Sequence, residues 1–180
     1  MKPKELLNYY IENFLVDELQ KFGFRYSKSV PKFSRTKGEF DLTFSFSLSK
    51  WNSEDNCEFW TMWGVTSKEY AKWYKEEWGI KPVNNAIVGD AEWNIPGWTR
   101  EPFKHFRLTN TDSDKIEFNE FIHNVINIGI PYYSKITDWN IAADYAAARE
   151  ATVFYDKACD FYLISGQKQK AKDILELKRN

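Results

Sequence analysis

The segment Glu39–Ser49 alternates between apolar and polar residues along its whole length. Every even position from Phe40 to Leu48 is apolar, and this period of two places the apolar side chains on one face of a β-strand. A second strand-like run, Cys57–Val65, follows after the polar turn Asn52–Asn56. The two runs therefore predict an antiparallel hairpin with one buried face and one solvated polar face.

A helix is predicted before this hairpin, over Pro3–Phe22, because apolar residues recur there at helical spacing and Gly23 is suited to a C-cap. Strand candidates follow at Phe24–Ser27 and Lys32–Thr36. The order predicts a helix packed on an antiparallel meander of about four or five strands. The predicted core comprises Leu7, Ile11, Phe14, Leu15, Phe40, Leu42, Phe44, Phe46, Leu48, Phe121, Ile122 and Val125.

After the hairpin, Ser67 can cap a helix over Lys68–Trp78 that Gly79 ends. The stretch 80–106 has weaker patterns. It contains a strand candidate at Asn84–Gly89, and Arg107–Thr109 could form an edge strand or remain a loop.

The final third of the chain has helical patterns. A capping box beginning at Thr111 predicts a helix over residues 114–128 that Gly129 stops, followed by a short helix from Pro131 to Thr137. Alanine-rich Trp139–Ile164 predicts a longer helix, with a break near Thr152 left open, and residues 167–178 predict the last one. We therefore expect a single α+β domain over residues 1–180. Residues 1–110 would form the helix and antiparallel sheet, and 111–180 a helical portion that could be a subdomain.

Four short segments resemble a family of bacterial proteins known as domain of unknown function 4304. They are Lys21–Tyr26, the strand with Phe33 and Arg35, Ser49–Asn52 and Ile128–Tyr133. The resemblance covers about two-thirds of the chain. It implies an α+β domain with no established activity, and it transfers no catalytic residue. Some domains of this kind resemble immunity partners of bacterial toxins. The chain departs from the family pattern around Trp73 to Trp98 and in its C-terminal helical pair.

Charge and composition narrow the functional classes. Lys plus Arg number 25 against 26 for Asp plus Glu, so a nucleic-acid partner is not expected. Apolar runs fall short of the roughly 20 residues that a membrane span needs. The N-terminal helix carries acidic residues and does not resemble a secretory signal. These features predict a soluble cytoplasmic protein in which Cys57 and Cys159 are reduced thiols.

Motifs for catalysis or cofactor binding are missing from the sequence. His105 and His123 are the two histidines, and no spacing typical of zinc or di-iron ligands surrounds them. Neither a phosphate-binding glycine loop nor a hydrolase Ser elbow occurs. Asp112 and Asp114 could share a cation, but capping of a helix explains both more simply. We therefore predict no catalytic residue, no metal site and no cofactor.

The chain is rich in aromatic residues, with 8 Trp, 10 Tyr and 14 Phe. Most rings are expected in the core, and the surplus could form a surface that binds a partner. The favoured hypothesis is a non-enzymatic protein-binding module, of the toxin-immunity type that the resemblance implies. Its contact patch would be the hairpin loop with Trp51, Glu54, Asp55 and Trp60.

Two alternatives remain open at this point. One is a small-molecule module with an aromatic pocket between the sheet and the helix that carries Trp73. The other is an enzyme with a site built only from carboxylates. The sequence does not determine the oligomeric state.

Overall fold

The computed structural model describes residues 1–149 and 152–179. Its first helical stretch consists of α1 (Pro3–Tyr10), a π-helical turn (Ile11–Leu15) and α2 (Val16–Gln20). Gly23 follows with φ of +79°, and the amide of Phe24 donates to the Leu19 carbonyl at 3.1 Å. The predicted N-terminal helix and its glycine C-cap are confirmed, because a residue without a Cβ can adopt this left-handed turn without strain.

The sheet has six strands in the described residues, and its order is β1-β2-β3-β4-β5, with β6 paired to β4. The β1–β2 and β4–β6 pairs are antiparallel. The strands are β1 (Arg25–Ser27), β2 (Lys32–Lys37), β3 (Phe40–Leu48), β4 (Cys57–Ser67), β5 (Ala86–Ala91) and β6 (Phe106–Leu108). The hairpin is thus confirmed as β3 and β4, and the segment around residue 107 is a strand and not a loop.

The remaining helices complete the α+β fold. They are α3 (Lys68–Trp78), α4 (Asp114–Asn124), α5 (Ile130–Lys135), α6 (Trp139–Ala147), α7 (Thr152–Ile164) and α8 (Lys168–Arg179). A 3₁₀ turn spans Glu92–Asn94, and a π-helical turn spans Val125–Gly129 between α4 and α5. The predicted fold class is confirmed. The break in the long helix lies after Ala147, and residues 150 and 151 fall outside the described residues.

Two compact units can be distinguished in the chain. Unit 1 contains Met1–Arg35, Thr43–Trp63 and Asp90–Tyr132. Unit 2 contains Thr36–Leu42, Gly64–Gly89 and the described residues from Tyr133 onward. The single domain expected over residues 1–180, with its helical portion from residue 111, stays a prediction.

Burial follows the alternation predicted for the hairpin. In β4 the odd residues from Cys57 to Ser67 are buried, and the even residues are half-buried or exposed. Eight predicted core residues are buried: Leu7, Ile11, Leu15, Phe40, Leu42, Phe44, Phe121 and Val125. Phe14, Phe46, Leu48 and Ile122 are only half-buried. Phe46 nevertheless packs its ring against Phe59 and Phe121, at centroid distances of 6.1 and 5.6 Å.

Gly129 is buried at the end of the π-helical turn, and the helical stretch continues directly from it into α5. A Cβ at this position would lie 2.6 Å from the Trp63 ring. Trp63 is 2% exposed and stacks on Phe44 at 4.4 Å, so its ring has no room to move. The prediction that Gly129 stops a helix was wrong, because this glycine serves close packing.

The start of α4 also differs from the prediction. Ser113 occupies the N-cap position and makes no side-chain capping bond, so the capping box from Thr111 is not formed. Asp114 is 1% exposed and accepts hydrogen bonds from the amides of Thr109 and Asn110 at 2.7 and 2.8 Å. The carboxylate therefore closes the turn before α4, where Asn110 has φ of +61°.

Each unit has its own aromatic core. In unit 1, Phe59 packs against Phe106 at 5.8 Å and Phe121 at 5.2 Å. In unit 2, Phe161 packs against Tyr70 at 5.3 Å and Trp139 at 5.6 Å. The expectation that most rings fill the core agrees with these contacts.

Candidate functional site

A cluster of aromatic side chains lies on the outer face of the sheet in unit 1. Trp60 is an even residue of β4, and its ring stacks on His105 at 4.4 Å with an interplanar angle of 26°. Trp93 lies 5.7 Å from His105 and 6.1 Å from Phe103. We call these four residues the outer aromatic cluster. Met62, the next even residue of β4, is 41% exposed on the same face.

Trp93 is positioned by its neighbour Glu92, which the 3₁₀ turn directs into the core. Glu92 is 1% exposed and accepts hydrogen bonds from the Thr61 amide at 2.7 Å and the Thr61 hydroxyl at 2.6 Å. Thr61 in turn accepts from the Trp63 indole at 2.9 Å. Because Thr61 directly follows Trp60 in β4, these bonds hold the turn that carries Trp93 against this part of β4.

Burial raises the pKa of Glu92 to about 7, although the hydrogen bonds from Thr61 and the charge of Arg100 lower it. A carboxyl group with this pKa changes its charge near neutral pH. Its oxygen atoms lie on the core side of the sheet, so Glu92 supports the cluster and is not part of its exposed surface.

Phe103 is the most exposed member of the cluster, at 84%, and its φ is +66°. It occupies the third position of the turn Glu101–Lys104, in which the Lys104 amide donates to the Glu101 carbonyl at 3.0 Å. Pro102 precedes it, and proline followed by a residue with positive φ is typical of a type II turn. Glycine is preferred at that third position, so Phe103 is unusual there.

The loop with Phe103 and His105 is tied to helix α4 through charged groups. Arg100 forms ion pairs with Glu117 at 2.8 Å and Glu120 at 2.7 Å, and its guanidinium lies 4.7 Å from the centre of the Phe106 ring. Glu117 also accepts from the amide of Arg107 at 2.9 Å. These contacts fix both ends of the loop, so the cluster has a defined geometry.

His105 contacts the rings of both Trp60 and Trp93, and burial lowers its pKa, while the nearby Glu58 acts in the opposite direction. Glu58 is paired with Arg107 of β6, both as strand neighbours and as an ion pair. His105 therefore contributes mainly a flat ring to the cluster.

The predicted patch at the hairpin loop lies in the same unit. Trp51 is 77% exposed, with the Lys50 ammonium 4.9 Å from its ring centre. Glu54 and Asp55 are exposed at the tip of the loop. Asn52 fixes the base of the loop, because its side chain donates to the Glu58 carbonyl at 3.0 Å and accepts from the Glu58 amide at 2.8 Å.

Trp73 is in unit 2 and does not belong to this patch. Its ring stacks with Tyr70 and makes an edge contact with Trp78, both at 6.4 Å. It also lines a cavity of about 230 Å³ together with Lys72 and Trp139.

The sequence did not indicate Trp93, Phe103 and His105 as site residues, because they lie in the stretch 80–106, where its patterns are weak. The Pro102 turn was the signal available there.

None of the helices formed by the described residues has the length and apolar character of a membrane span. Among residues 1–149 and 152–179, no group of three or more His, Cys, Asp or Glu side chains is placed to hold a metal ion. Cys57 and Cys159 are both buried, and burial raises the pKa of the Cys57 thiol to about 12.

A family model described as "Domain of unknown function (DUF4304)" matches residues 15–135. The chain belongs to the DUF4304 family. The matched region of this DUF4304 protein includes the hairpin loop and the whole outer aromatic cluster, and it ends before α6, α7 and α8. Neither the comparison with curated proteins nor the comparison with solved structures gives a match.

Proposed function

We propose that this DUF4304 protein is a non-enzymatic protein-binding module. Its contact surface consists of the outer aromatic cluster and the hairpin loop that contains Trp51, Glu54 and Asp55. The observation that carries the proposal is Phe103, an aromatic ring that is 84% exposed at a backbone position with φ of +66°.

The stability of the fold does not account for Phe103. A left-handed conformation costs a residue with a Cβ about 1 kcal/mol or more, and a ring this exposed gains little from burial. Glycine would satisfy the same turn without strain. Strained positions are concentrated at functional sites, and exposed aromatic rings are typical anchors of protein interfaces. Contact with a partner would explain why a large ring occupies this exposed and strained position.

The chemistry of the surface supports a partner with complementary chemistry. Trp51 and Phe103 are large exposed rings, and Glu54 and Asp55 form an acidic rim at the loop tip. The complementary surface is an apolar pocket for the rings, bordered by basic side chains. The family resemblance adds the proposal that this partner is a bacterial toxin of the immunity-pair type.

The test begins with capture of binding proteins from the source lysate, followed by calorimetry with each purified candidate. We expect Phe103→Gly and Trp51→Ala each to weaken binding by about tenfold or more, as loss of an interface anchor does. The matched control is Ile116→Ala, which removes a 76% exposed apolar side chain of α4 outside the cluster. Glycine suits the turn, so we expect the free energy of unfolding of Phe103→Gly to be within about 1 kcal/mol of that of the parent protein.

Equal affinity of the parent protein and both ring variants would refute the proposed surface. Self-association that Phe103→Gly abolishes would show instead that a second copy of this chain covers the cluster. For the toxin class, the protein should form a stoichiometric complex with the product of a neighbouring toxin reading frame and suppress its toxicity. Suppression by the Phe103→Gly variant at the parent level would contradict this assignment.

A further inference from the structure

A cleft in unit 2 lies between α3, the segment after α3, and helices α7 and α8. One part has a volume of about 380 Å³ and is lined in part by Tyr74, Val83, Asp156 and Asp160. The adjoining part has a volume of about 220 Å³, shares Tyr74, Asp156 and Asp160, and adds Trp78. Together these spaces are in the size range of sites for small organic molecules.

Asp160 is the deepest acidic group of the cleft, with only 6% of its surface exposed. One carboxylate oxygen accepts from the Tyr70 hydroxyl at 2.9 Å, and the other accepts from the Trp78 indole at 3.2 Å. Both donors are neutral, so they orient the carboxylate without cancelling its charge. Each oxygen of an ionised carboxylate has a second lone pair, and Asp160 can therefore accept further bonds from a ligand.

Aromatic rings surround this carboxylate. Tyr74 makes an edge contact with Tyr70 at 5.8 Å, and Trp78 makes one with Trp73 at 6.4 Å. Tyr74 and Trp78 both line the cleft beside Asp160. Rings next to a carboxylate favour a bound cation, because the ring face and the carboxylate are both negative.

The charges of the lining also favour a cation. Asp156 is exposed at the opening of the cleft and precedes Asp160 by one helical turn of α7. Lys157 is the lining cation, and its ammonium donates to the Ala86 carbonyl at 2.7 Å. This bond holds the Lys157 ammonium at the start of β5, and its charge still acts on Asp160. The charged side chains of the lining are therefore two carboxylates and one ammonium.

We propose that this cleft binds an aliphatic diamine or polyamine. One ammonium group bonds to Asp160, the alkyl chain lies between the rings of Tyr74 and Trp78, and a second ammonium group bonds to Asp156. The two carboxylates are four residues apart on α7, about 6 Å along the helix axis. A four-carbon diamine separates its nitrogens by a similar distance.

The cleft is independent of the proposed protein-binding surface, because its residues lie in unit 2 and the outer aromatic cluster lies in unit 1. Asp156 and Asp160 also follow the region that matches the family model, which ends at residue 135. The family model therefore does not cover the two carboxylates of the cleft.

The test is an NMR titration of the full chain, labelled with ¹⁵N at the tryptophan indoles, with putrescine as the probe. Loss of one signal in the Trp78→Phe variant assigns the Trp78 indole. We expect a saturable shift of that signal with putrescine and none with succinate, a dianion of similar length, or with potassium chloride at matched ionic strength. Butylamine, which has a single ammonium group, should bind more weakly than putrescine.

Three Asp→Asn variants locate the site. We expect Asp160→Asn to weaken putrescine binding about tenfold or more and Asp156→Asn about threefold, since each removes a charge-assisted hydrogen bond. Asp173→Asn, an exposed carboxylate of α8 outside the lining, should bind like the parent protein. If Asp160→Asn does not fold, the exposed Asp156→Asn variant decides the question. The proposal is overturned if putrescine produces no saturable shift, if succinate shifts the signal equally, or if Asp173→Asn weakens binding as much as Asp156→Asn.

Discussion

Glu92 allows a quantitative test of how the buried side of the sheet responds to pH. Its carboxyl group is 1% exposed, and its pKa is raised from 4.5 to about 7 in the folded chain. Between these two values the folded state keeps a proton that the unfolded state has lost. Raising the pH through this window therefore favours the unfolded state, and the stability contributed by protonated Glu92 is lost.

The size of the effect follows from the shift. The difference between 4.5 and about 7 is roughly 2.5 pKa units, and at 1.36 kcal/mol per unit it corresponds to about 3 kcal/mol. Glu92→Gln replaces the carboxyl by a group that does not titrate and keeps an oxygen that can accept from Thr61. Relative to this variant, the parent protein should lose about 3 kcal/mol of unfolding free energy as pH rises from below 4.5 to above 7, and the loss should level off about one pH unit above the folded pKa.

Urea denaturation at half-unit pH steps from 4 to 8 measures the free energy of unfolding of the parent protein and of Glu92→Gln. A cost of the amide substitution that is the same at every pH does not affect how the difference between the two proteins changes with pH. Glu54→Gln, which changes an exposed carboxylate of the hairpin loop, is the matched control and should show no such trend. Thr61→Val should move the upper end of the window to higher pH, because the Thr61 hydroxyl lowers the pKa of Glu92. A difference between parent and Glu92→Gln that varies by less than about 1 kcal/mol over this range would refute the reasoning.

Three other features of the fold have measurable consequences. Gly129→Ala should destabilise the protein by about 1–3 kcal/mol, because its Cβ would lie 2.6 Å from the Trp63 ring. Alanine normally stabilises a helix relative to glycine, so an increase in the urea midpoint would contradict the close packing. The Cys57 thiol, buried and with a pKa of about 12, should be alkylated by iodoacetamide at pH 7.5 only after unfolding. Peptide mapping that finds rapid labelling of native protein would exclude this burial. Tyr70→Phe should cost about 1–3 kcal/mol in urea denaturation, because buried Asp160 loses a hydrogen bond of 2.9 Å. A loss below about 0.5 kcal/mol would show that this bond contributes little.

Much of the fold could be predicted from the sequence because its signals are local. The alternation of apolar and polar residues in β3 and β4 determines which face of these strands is buried. Ser67 accepts from the Tyr70 amide at 3.2 Å, and Gly79 has φ of +70° at the end of α3, as predicted. Such cap and turn signals act within a few residues, so they can be read without the tertiary structure.

Less of the candidate sites could be predicted from the sequence. Trp51, Glu54 and Asp55 could be placed on the hairpin loop because a polar turn between two strands is exposed. The contact of Trp60 with His105 joins β4 to a distant loop, and no periodicity in either segment predicts it. The partners of Asp160 are equally remote, since Tyr70 and Trp78 come from α3 and Asp160 comes from α7.

The sequence by itself determined the helix-then-meander order, the buried face of the hairpin and several caps, because each depends on the periodicity or backbone preference of neighbouring residues. The tertiary structure alone decided that Gly129 makes room for Trp63 inside a helix, where the sequence indicated a stop. It also decided that Glu92 is buried against Thr61 and that four rings meet on the outer face of the sheet. These features depend on packing between segments far apart in the chain, and local preferences carry no information about which segments will meet.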